Sequence, residues 1–357
     1  MAYAMLYALM NAGSALLMLA FLLRDERFLG LGIPGTFWIF TGLTVVSLLI
    51  TLFVLSRKTV DDAIAAAKAQ AEPEASKEKE KEKEAAAAST IPTSGMERVP
   101  VTMWISLGIL VTMLVVKVPF PWGLIVGGAL TVLPPLTLLL PRTWRAAIVH
   151  WASTHPLADA KFFVFIMVLI PVQTLFTYNW LVLPEYISRA YQGWIGEYYE
   201  IASNANPILI FVLVPIVTAL TYKRNIYTMM IVGTAVMSSS AFVLAIAPTP
   251  ATLLTYIVLM TIGEALWQPR FLGYATEIAP EGRAGQYQGV AQLPWFLTKF
   301  LVPLLYSGKM VDKFCPANGP KNTEAMWLIF GFIAIASPII LVLLKGWLGK
   351  DMKTKAA

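Results

Sequence analysis

The sequence is poor in cysteine, in histidine and in charge. Its 357 residues include one cysteine, Cys315, and two histidines, and charged residues make up 13% of the chain, against about 25% in soluble proteins. One cysteine cannot close a disulfide within the chain, and so few thiols and imidazoles give no spacing typical of a metal site. The sequence therefore predicts neither a disulfide-stabilised domain nor a metal centre.

Recognisable catalytic motifs are missing as well. The sequence contains no P-loop, no arrangement of serine, histidine and aspartate for nucleophilic catalysis, and no cofactor-binding signature. An intramembrane protease or transferase would need paired catalytic groups within its apolar segments. We therefore expect no enzymatic activity and no cofactor.

What the sequence does contain is long apolar segments. Hydrophobic residues make up 57% of the chain, and about 20 helical residues cross a bilayer core about 30 Å thick. Backbone amides in hydrocarbon find no water and must be paired within their own helix. The sequence therefore predicts an all-α polytopic membrane protein built as a helical bundle, with ten spans at about 5–23, 33–55, 101–118, 122–140, 162–183, 205–222, 226–247, 251–272, 288–307 and 325–344.

The distribution of charge predicts the orientation in the membrane. The net charge is +6, and the basic residues gather at span ends in alternate loops, as the positive-inside rule describes for cytosolic loops. Those loops carry Arg57, Arg142, Lys223, Arg283 and Lys345. We therefore expect a lipid bilayer as partner and no nucleic acid, and a location in the bacterial inner membrane with both termini cytosolic.

The predicted spans group as two, two and six. The only long polar segment alternates Lys and Glu between Ala-rich flanks, a composition typical of a solvated linker. The two spans after it carry almost no polar groups, as expected of helices that line no cavity. The predicted organisation is a helix pair in 1–55, a charged cytosolic linker in 56–100, a peripheral hairpin in 101–141, a six-helix bundle in 162–345 and a cytosolic tail in 346–357.

Glu264 is the only acidic residue inside a predicted span. A charged side chain at mid-bilayer costs about 2.5–3.5 kcal/mol, so it normally faces a cavity or a partner. Thr261 and Gln268 share its helical face. The predicted counterpart is Lys299 on the next span. Two interpretations stay open here, a purely structural ion pair and a functional group that faces a cavity.

Three further spans carry polar side chains in register on one helical face. Such a stripe indicates a cavity wall, and interhelical hydrogen bonding is the alternative. Pro171 interrupts the fifth span, where it either exposes backbone groups to a substrate or merely kinks the helix. The stripes consist of Gln288, Gln292, Trp295 and Lys299 in the ninth span, of Gln173, Thr177 and Trp180 beside Tyr178 and Asn179 in the fifth, and of Tyr3, Tyr7, Asn11 and Ser14 in the first.

Two short segments resemble motifs of one transporter family. Residues 6–15, LYALMNAGSA, resemble the FYxxINxGSL signature on the fifth helix of the proton-dependent oligopeptide transporters. Residues 263–269, GEALWQP, resemble the GELxxSP motif on that family's tenth helix, and Asn206-Pro207 resembles the start of its eighth helix. Bacterial members carry two extra helices where 101–140 lies here. The matching segments occur in the same order as in the family, and together they extend over nearly the whole chain.

The resemblance implies a major facilitator fold whose helical halves rock around a central cavity, driven by a proton gradient. It implies that Glu264 contacts the amino group of a peptide and that Asn11 takes the place of the fifth-helix asparagine. The family's helices one to four have no counterpart in the sequence, so we expect residues 1–55 to form an incomplete N-terminal bundle. The first-helix ExxER motif, which couples protons in the family, is missing with them.

Two classes of function follow from these observations. The first is a secondary active transporter of a small polar solute, for which the family implies peptides and protons. The second is a non-transporting membrane subunit or truncated remnant, with a separate chain supplying the missing helices. The predicted substrate-binding residues are Tyr7, Asn11, Gln173, Tyr178, Asn179, Glu264, Gln268, Gln292, Trp295 and Lys299.

Overall fold

A computed structural model describes residues 2–53, 58–59, 62, 65, 99–115, 141–280, 283–305 and 307–349. Within these ranges the regular structure is helical and no strand occurs. The prediction of an all-α polytopic bundle is confirmed. The predicted span at 122–140, most of the charged linker and the tail from residue 350 onwards lie outside the described residues.

The helices follow the apolar segments of the sequence. In chain order they are α1 Ala2–Ser14, α2 Ala20–Arg24, α3 Gly32–Phe53, α4 Val101–Val115, α5 Arg142–Thr154, α6 Ala160–Val168, α7 Ile170–Leu181, α8 Leu183–Ala190, α9 Trp194–Glu197, α10 Tyr199–Ser203, α11 Ala205–Thr221, α12 Ile226–Leu244, α13 Pro250–Glu277, α14 Ala284–Ala291, α15 Leu293–Leu305, α16 Ser307–Phe314, α17 Thr323–Leu343 and α18 Lys345–Leu348. A 3₁₀ segment, Ala15–Leu19, joins α1 to α2.

Six helical segments of the described chain are long and apolar enough to cross a membrane, and α6 with α7 makes a seventh span bent by 41°. These seven coincide with seven of the ten predicted spans. The helix at 101–115 is apolar but shorter, and the predicted span at 288–307 is interrupted at Gln292, between α14 and α15. The six unbent spans are Ala4–Arg24, Gly32–Phe53, Tyr199–Thr221, Ile226–Leu244, Pro250–Glu277 and Thr323–Leu343.

The chain divides into two compact units, one of residues 19–91 and the other of residues 1–18 with 92–357. In the smaller unit, α2 packs against α3 across a turn in which Asp25 accepts hydrogen bonds from the backbone and guanidinium of Arg27. These bonds lower the pKa of Asp25 to about 2. Gly30 and Gly32 take positive φ angles in the turn, which glycine adopts without strain.

The tightest helix contact in the larger unit joins α12 to α13. Gly233 and Gly263 face each other there, and a Cβ atom added to Gly263 would lie 2.4 Å from the backbone nitrogen of Met237. Small residues at a crossing let two backbones approach closely, as is common between membrane helices. The glycine at 263 therefore fixes the position of its neighbour in the chain, Glu264.

The bend between α6 and α7 is stabilised by a side chain of another helix. Pro171 lacks an N–H and disrupts the helical hydrogen bonds around it. The hydroxyl of Ser337, on α17, accepts a hydrogen bond from Val172 N at 2.9 Å and donates one to Val168 O at 2.7 Å. The hydroxyl thus sits between a donor and an acceptor that a straight helix would pair directly. Of the two interpretations of Pro171, the structure favours the packing kink.

Helix α11 is tied to α13 at both of its ends. At its start, Asn206 donates to Thr261 Oγ1 over 3.1 Å. At its end, the Arg270 guanidinium donates to the Thr221 carbonyl over 3.1 Å and also to the Thr221 hydroxyl. A cation is favourable at the negative end of a helix dipole. The other side of α11 receives α1, where Ala4 and Ala8 are among the buried contacts.

Helix α4, the described part of the predicted hairpin, packs along one face. Met103 and Leu110 belong to a small apolar cluster with residues of α6 and α15. Thr102 and Ser106 donate to the carbonyls of Ala158 and Leu157 over 2.7 and 2.8 Å. The opposite face is open, with Ile109 40% exposed.

Candidate functional site

A cavity of about 710 Å³ lies within the larger unit. Its walls come from α1 on one side and from α7, α10, α11, α13, α14 and α15 on the others. Cavities of 300 to 1,000 Å³, roughly, are the usual size for small-molecule sites. The wall is mostly apolar and carries one carboxylate, that of Glu264.

Glu264 lies almost fully buried on α13, with 2% of its surface exposed. Its Oε1 accepts a hydrogen bond from the Tyr7 hydroxyl, and its Oε2 accepts one from Asn206 Nδ2 at 2.9 Å. Asn206 also donates to Thr261, one turn earlier on α13. Neutral donors from two other helices thus compensate the carboxylate. We call Tyr7, Asn206, Thr261 and Glu264 the carboxylate cluster.

The prediction that Glu264 pairs with Lys299 is wrong. Within the described parts of the chain, the carboxylate of Glu264 forms no ion pair. The Lys299 ammonium lies 3.2 Å from the centroid of the Trp295 ring and 4.3 Å from that of Trp180. Trp295 precedes Lys299 by four residues, so the lysine reaches an indole on its own helical face instead of a carboxylate on the neighbouring helix.

Seven of the ten predicted binding residues line this cavity. The other three do not. Tyr178 is fully buried and stacks on Phe330 with ring centroids 3.9 Å apart, because its position on α7 turns the ring into the aromatic core. Gln173 is buried five residues earlier on α7, and the Lys299 ammonium contacts the rings of Trp180 and Trp295. The seven are Tyr7, Asn11, Asn179, Glu264, Gln268, Gln292 and Trp295.

The polar stripe of the first helix faces the cavity. Tyr7, Asn11 and Ser14 all line it, whereas the side chain of Tyr3 lies outside the described residues. Asn11 donates its amide to the carbonyl of Tyr7 at 2.9 Å, one turn earlier. Its side-chain oxygen receives no hydrogen bond from any described residue. The first helix therefore presents one hydroxyl to Glu264 and one acceptor to the cavity.

Gln268 adds a second acceptor on the same helix face as Glu264. Its side chain is 7% exposed, it lines the cavity, and its Oε1 has no hydrogen-bond partner in the described part of the chain. A buried acceptor without a partner is costly unless something outside the protein donates to it. With Glu264, it gives this wall two acceptor groups, a chemistry that suits a ligand donating hydrogen bonds.

Asn179 is held by neighbours rather than left open. Its Oδ1 accepts from the Tyr256 hydroxyl at 2.5 Å, and its Nδ2 contacts the sulfur of Met260 at 2.9 Å. Both partners lie on α13, one and two turns before Glu264. Asn179 therefore shapes the cavity and joins α7 to α13.

Asn206 lines the cavity and contacts Glu264, although it is not among the predicted binding residues. The resemblance of Asn206-Pro207 to the start of the family's eighth helix implies no role for the Asn206 side chain. A polar amide at the first turn of an apolar span was the available signal, because such a group needs a partner in the membrane. Gln288 was predicted as part of a wet face, and it lines the cavity while donating to the carbonyl of Leu272 at 2.6 Å.

The fold and the site together define an integral, polytopic helical membrane protein with a central polar cluster. Comparison with known proteins gives one informative similarity: a Bacillus subtilis (strain 168) protein named "Uncharacterized MFS-type transporter YttB" is 27% identical over 144 residues. The aligned region is 40% of this chain and 35% of that protein, so the chain matches about a third of its relative's length. No family model and no solved structure matches the chain. The similarity is thus partial, and it is to a protein named as an MFS-type transporter.

Proposed function

We propose that this chain is a secondary active transporter of a small polar solute, or the larger part of one, that works by alternating access around the cavity. The observation that carries the proposal is the carboxylate cluster. A carboxylate buried within a span and compensated only by neutral donors is energetically demanding and typical of solute and proton pathways. A structural role alone would be served better by a full ion pair.

The cluster favours a solute with an amine. The ammonium of a peptide can replace the Tyr7 and Asn206 donors at Glu264, and its remaining hydrogens can reach Gln268. A carboxylate is also a group that binds and releases protons. We therefore propose peptides as the solute class and protons as the coupling ion, in agreement with the resemblance of 263–269 to the tenth-helix motif.

The proposed setting is the bacterial inner membrane, with both termini in the cytosol. The excess of Lys and Arg on alternate loops supports it. Single cysteines introduced at Ser76 and Asn318 should then react with membrane-impermeant reagents from opposite sides. Reaction from the same side would contradict this topology.

The function is tested by uptake of alanyl-alanine into proteoliposomes under an imposed inward proton gradient. We expect uptake by the wild-type protein and its loss in Glu264→Gln. Glu185→Gln serves as the matched control, since Glu185 lies outside the cavity in an ion pair with Arg189 at 2.7 Å. Normal uptake by Glu264→Gln would contradict the proposed role of the cluster.

A second candidate is a subunit that needs a partner chain. Among the described residues of the larger unit, α1 is the helix that lines the cavity on its side. Leu9 and Met10 on this helix are more than half exposed. A separate chain that supplies further helices would cover this side. Proton-driven uptake by the purified chain alone would exclude this candidate, and uptake that requires a co-purifying partner would favour it.

A further inference from the structure

Helix α5, Arg142–Thr154, is too short to cross a bilayer. Its 13 residues make a helix about 20 Å long, against about 30 Å of hydrocarbon. The helix ends at His155, whose extended backbone precedes Pro156, because a residue before proline disfavours helical angles. The short 3₁₀ segment Pro156–Ala158 then leads to α6. Helix α5 therefore lies close to the end of the bent span without being part of it.

The two sides of α5 differ in exposure. Val149, Ala152 and Ser153 are buried, whereas Trp144 is 68% exposed and Trp151 is 54% exposed. The two tryptophans are seven residues apart and so point in nearly the same direction, while Val149 points about 140° away from Trp144. Helix α5 therefore packs against the protein through one side and presents two indoles on the other.

Hydrogen bonds fix α5 in this orientation. At its end, the Thr154 carbonyl accepts a bond of 2.6 Å from the guanidinium of Arg283, the residue that precedes α14. The 3₁₀ segment that follows is held by Thr102 and Ser106 of α4, which donate to its backbone carbonyls. Because these bonds come from two other parts of the fold, the side that carries the indoles keeps a defined direction.

The chemistry of α5 fits the surface of an anionic bilayer. The helix contains Arg142, Arg145 and His150 and no acidic residue, and among the described residues neither arginine has an ion-pair partner. Indoles concentrate at the level of the lipid headgroups, where one end of the ring meets water and the rest meets acyl chains. Water alone would not favour two exposed indoles, and the hydrocarbon core would not favour the arginines. The headgroup region suits both.

We propose that α5 lies in the headgroup region of the membrane and binds anionic phospholipid there. Trp144 and Trp151 reach the boundary between headgroups and acyl chains, and Arg142 and Arg145 bind the lipid phosphates. The occupant of the exposed side is thus lipid, and not a second copy of this chain or another protein. No residue of α5 lines the cavity, so the inference is independent of the proposed solute.

The depth of α5 is measured with a bimane fluorophore on introduced cysteines, in the full chain in nanodiscs. Ala147→Cys places the label between the two tryptophans, Lys223→Cys places it in an exposed turn, and the wild type, whose Cys315 is buried, gives the background. We expect lipids brominated at shallow acyl positions to quench the Ala147→Cys label more than aqueous iodide does, and the reverse for Lys223→Cys. Quenching by iodide alone would place α5 in water, and protection from both quenchers would show that protein covers it. Either result would overturn the proposal.

The preference for anionic lipid is measured with the same α5 label. Mixtures of brominated phosphatidylcholine with unbrominated phosphatidylglycerol give the relative affinity of this surface for the two headgroups. We expect a preference for phosphatidylglycerol of about fivefold or more, the factor for one basic residue at an anionic surface. Arg142→Gln with Arg145→Gln should abolish it. Lys309→Gln with Lys313→Gln removes the same charge from α16, which has an acidic Asp312 and no tryptophan, and should leave it unchanged. Equal affinity for both headgroups before any arginine is replaced would overturn the anionic preference.

Discussion

The helix-packing core and the cavity wall use polar and small residues in opposite ways. In the core, Ser337 uses both its donor and its acceptor to complete the bend at α6 and α7, and Gly263 removes a side chain so that two backbones can touch. On the wall, Gln268 retains an acceptor without a partner among the described residues. The core positions polar groups for stability, whereas the wall leaves them available to a ligand. Substitutions in the core should therefore reduce stability more than substitutions on the wall.

The largest effect is expected at the contact of α12 with α13. In Gly263→Val, the new side chain would overlap the backbone of Met237 and force the two helices apart. Overpacking of this kind costs about 3 kcal/mol, and the melting temperature of the purified protein should fall strongly. Gly273→Ala is the control on the same helix, where an added Cβ meets nothing within 4 Å. Equal melting temperatures for the two variants would contradict the close contact.

A smaller loss is expected at the bend. Ser337→Ala leaves the Val172 N–H and the Val168 carbonyl buried without their shared partner, at a cost of about 1–3 kcal/mol. The control is Ser240→Ala, since the Ser240 hydroxyl is equally buried but bonds only to its own helix, at Met237 O. Thermal unfolding should separate the two variants. A Ser337→Ala protein as stable as the control would show that the bend needs no bridge.

On the cavity wall, Tyr7→Phe removes one donor from Glu264. Since the carboxylate keeps Asn206 and faces a cavity that admits water, we expect a loss of only about 1 kcal/mol. Uptake should fall more clearly than stability, because the hydroxyl is part of the proposed site. Tyr222→Phe, at an exposed position, serves as the control in both assays. A large loss of stability in Tyr7→Phe would show that the hydrogen bond of Tyr7 belongs to the packed core and not to the cavity wall.

The smallest effect is expected for the coupling between Glu264 and Lys299. A buried pair would lose about 3–5 kcal/mol when one partner is removed, and removal of the second would restore part of it. Because each charge has other contacts, the free energies of Glu264→Gln and Lys299→Met should add within about 0.5 kcal/mol. A double-mutant cycle on thermal stability measures this coupling, and a clear rescue would reinstate the ion pair.

The membrane spans could be predicted because a span depends only on a run of consecutive apolar residues. It also placed Glu264 on a polar face, since the periodicity of a helix assigns Thr261 and Gln268 to the same side. The choice of partner was not predictable in this way. Lys299 matched Glu264 in charge and in position along the chain, but the distance between them depends on how α13 and α15 pack. In the folded chain, Tyr7 on α1 and Asn206 on α11 are the donors that contact the carboxylate.

Tyr178 and Asn179 show the same limit on a finer scale. They are adjacent on α7, and both were predicted to bind substrate because they lie beside the polar stripe of Gln173, Thr177 and Trp180. Successive helix residues point about 100° apart, so a step of one residue is enough to separate a cavity position from a core position. The stacking of Tyr178 on Phe330 decides between them, and that contact joins residues far apart in the sequence.

The fastening of α11 to α13 at both ends has a mechanical consequence. A helix held at one end can swing about that end, whereas a helix held at Asn206 and at Thr221 has no free pivot relative to its neighbour. The two helices therefore move as one lever, about 25 Å long for the 17 residues of α11. Arg270 follows Glu264 by six residues on α13, about 9 Å along the helix axis, so a change at the Thr221 end of α11 acts on the same helix that carries the carboxylate.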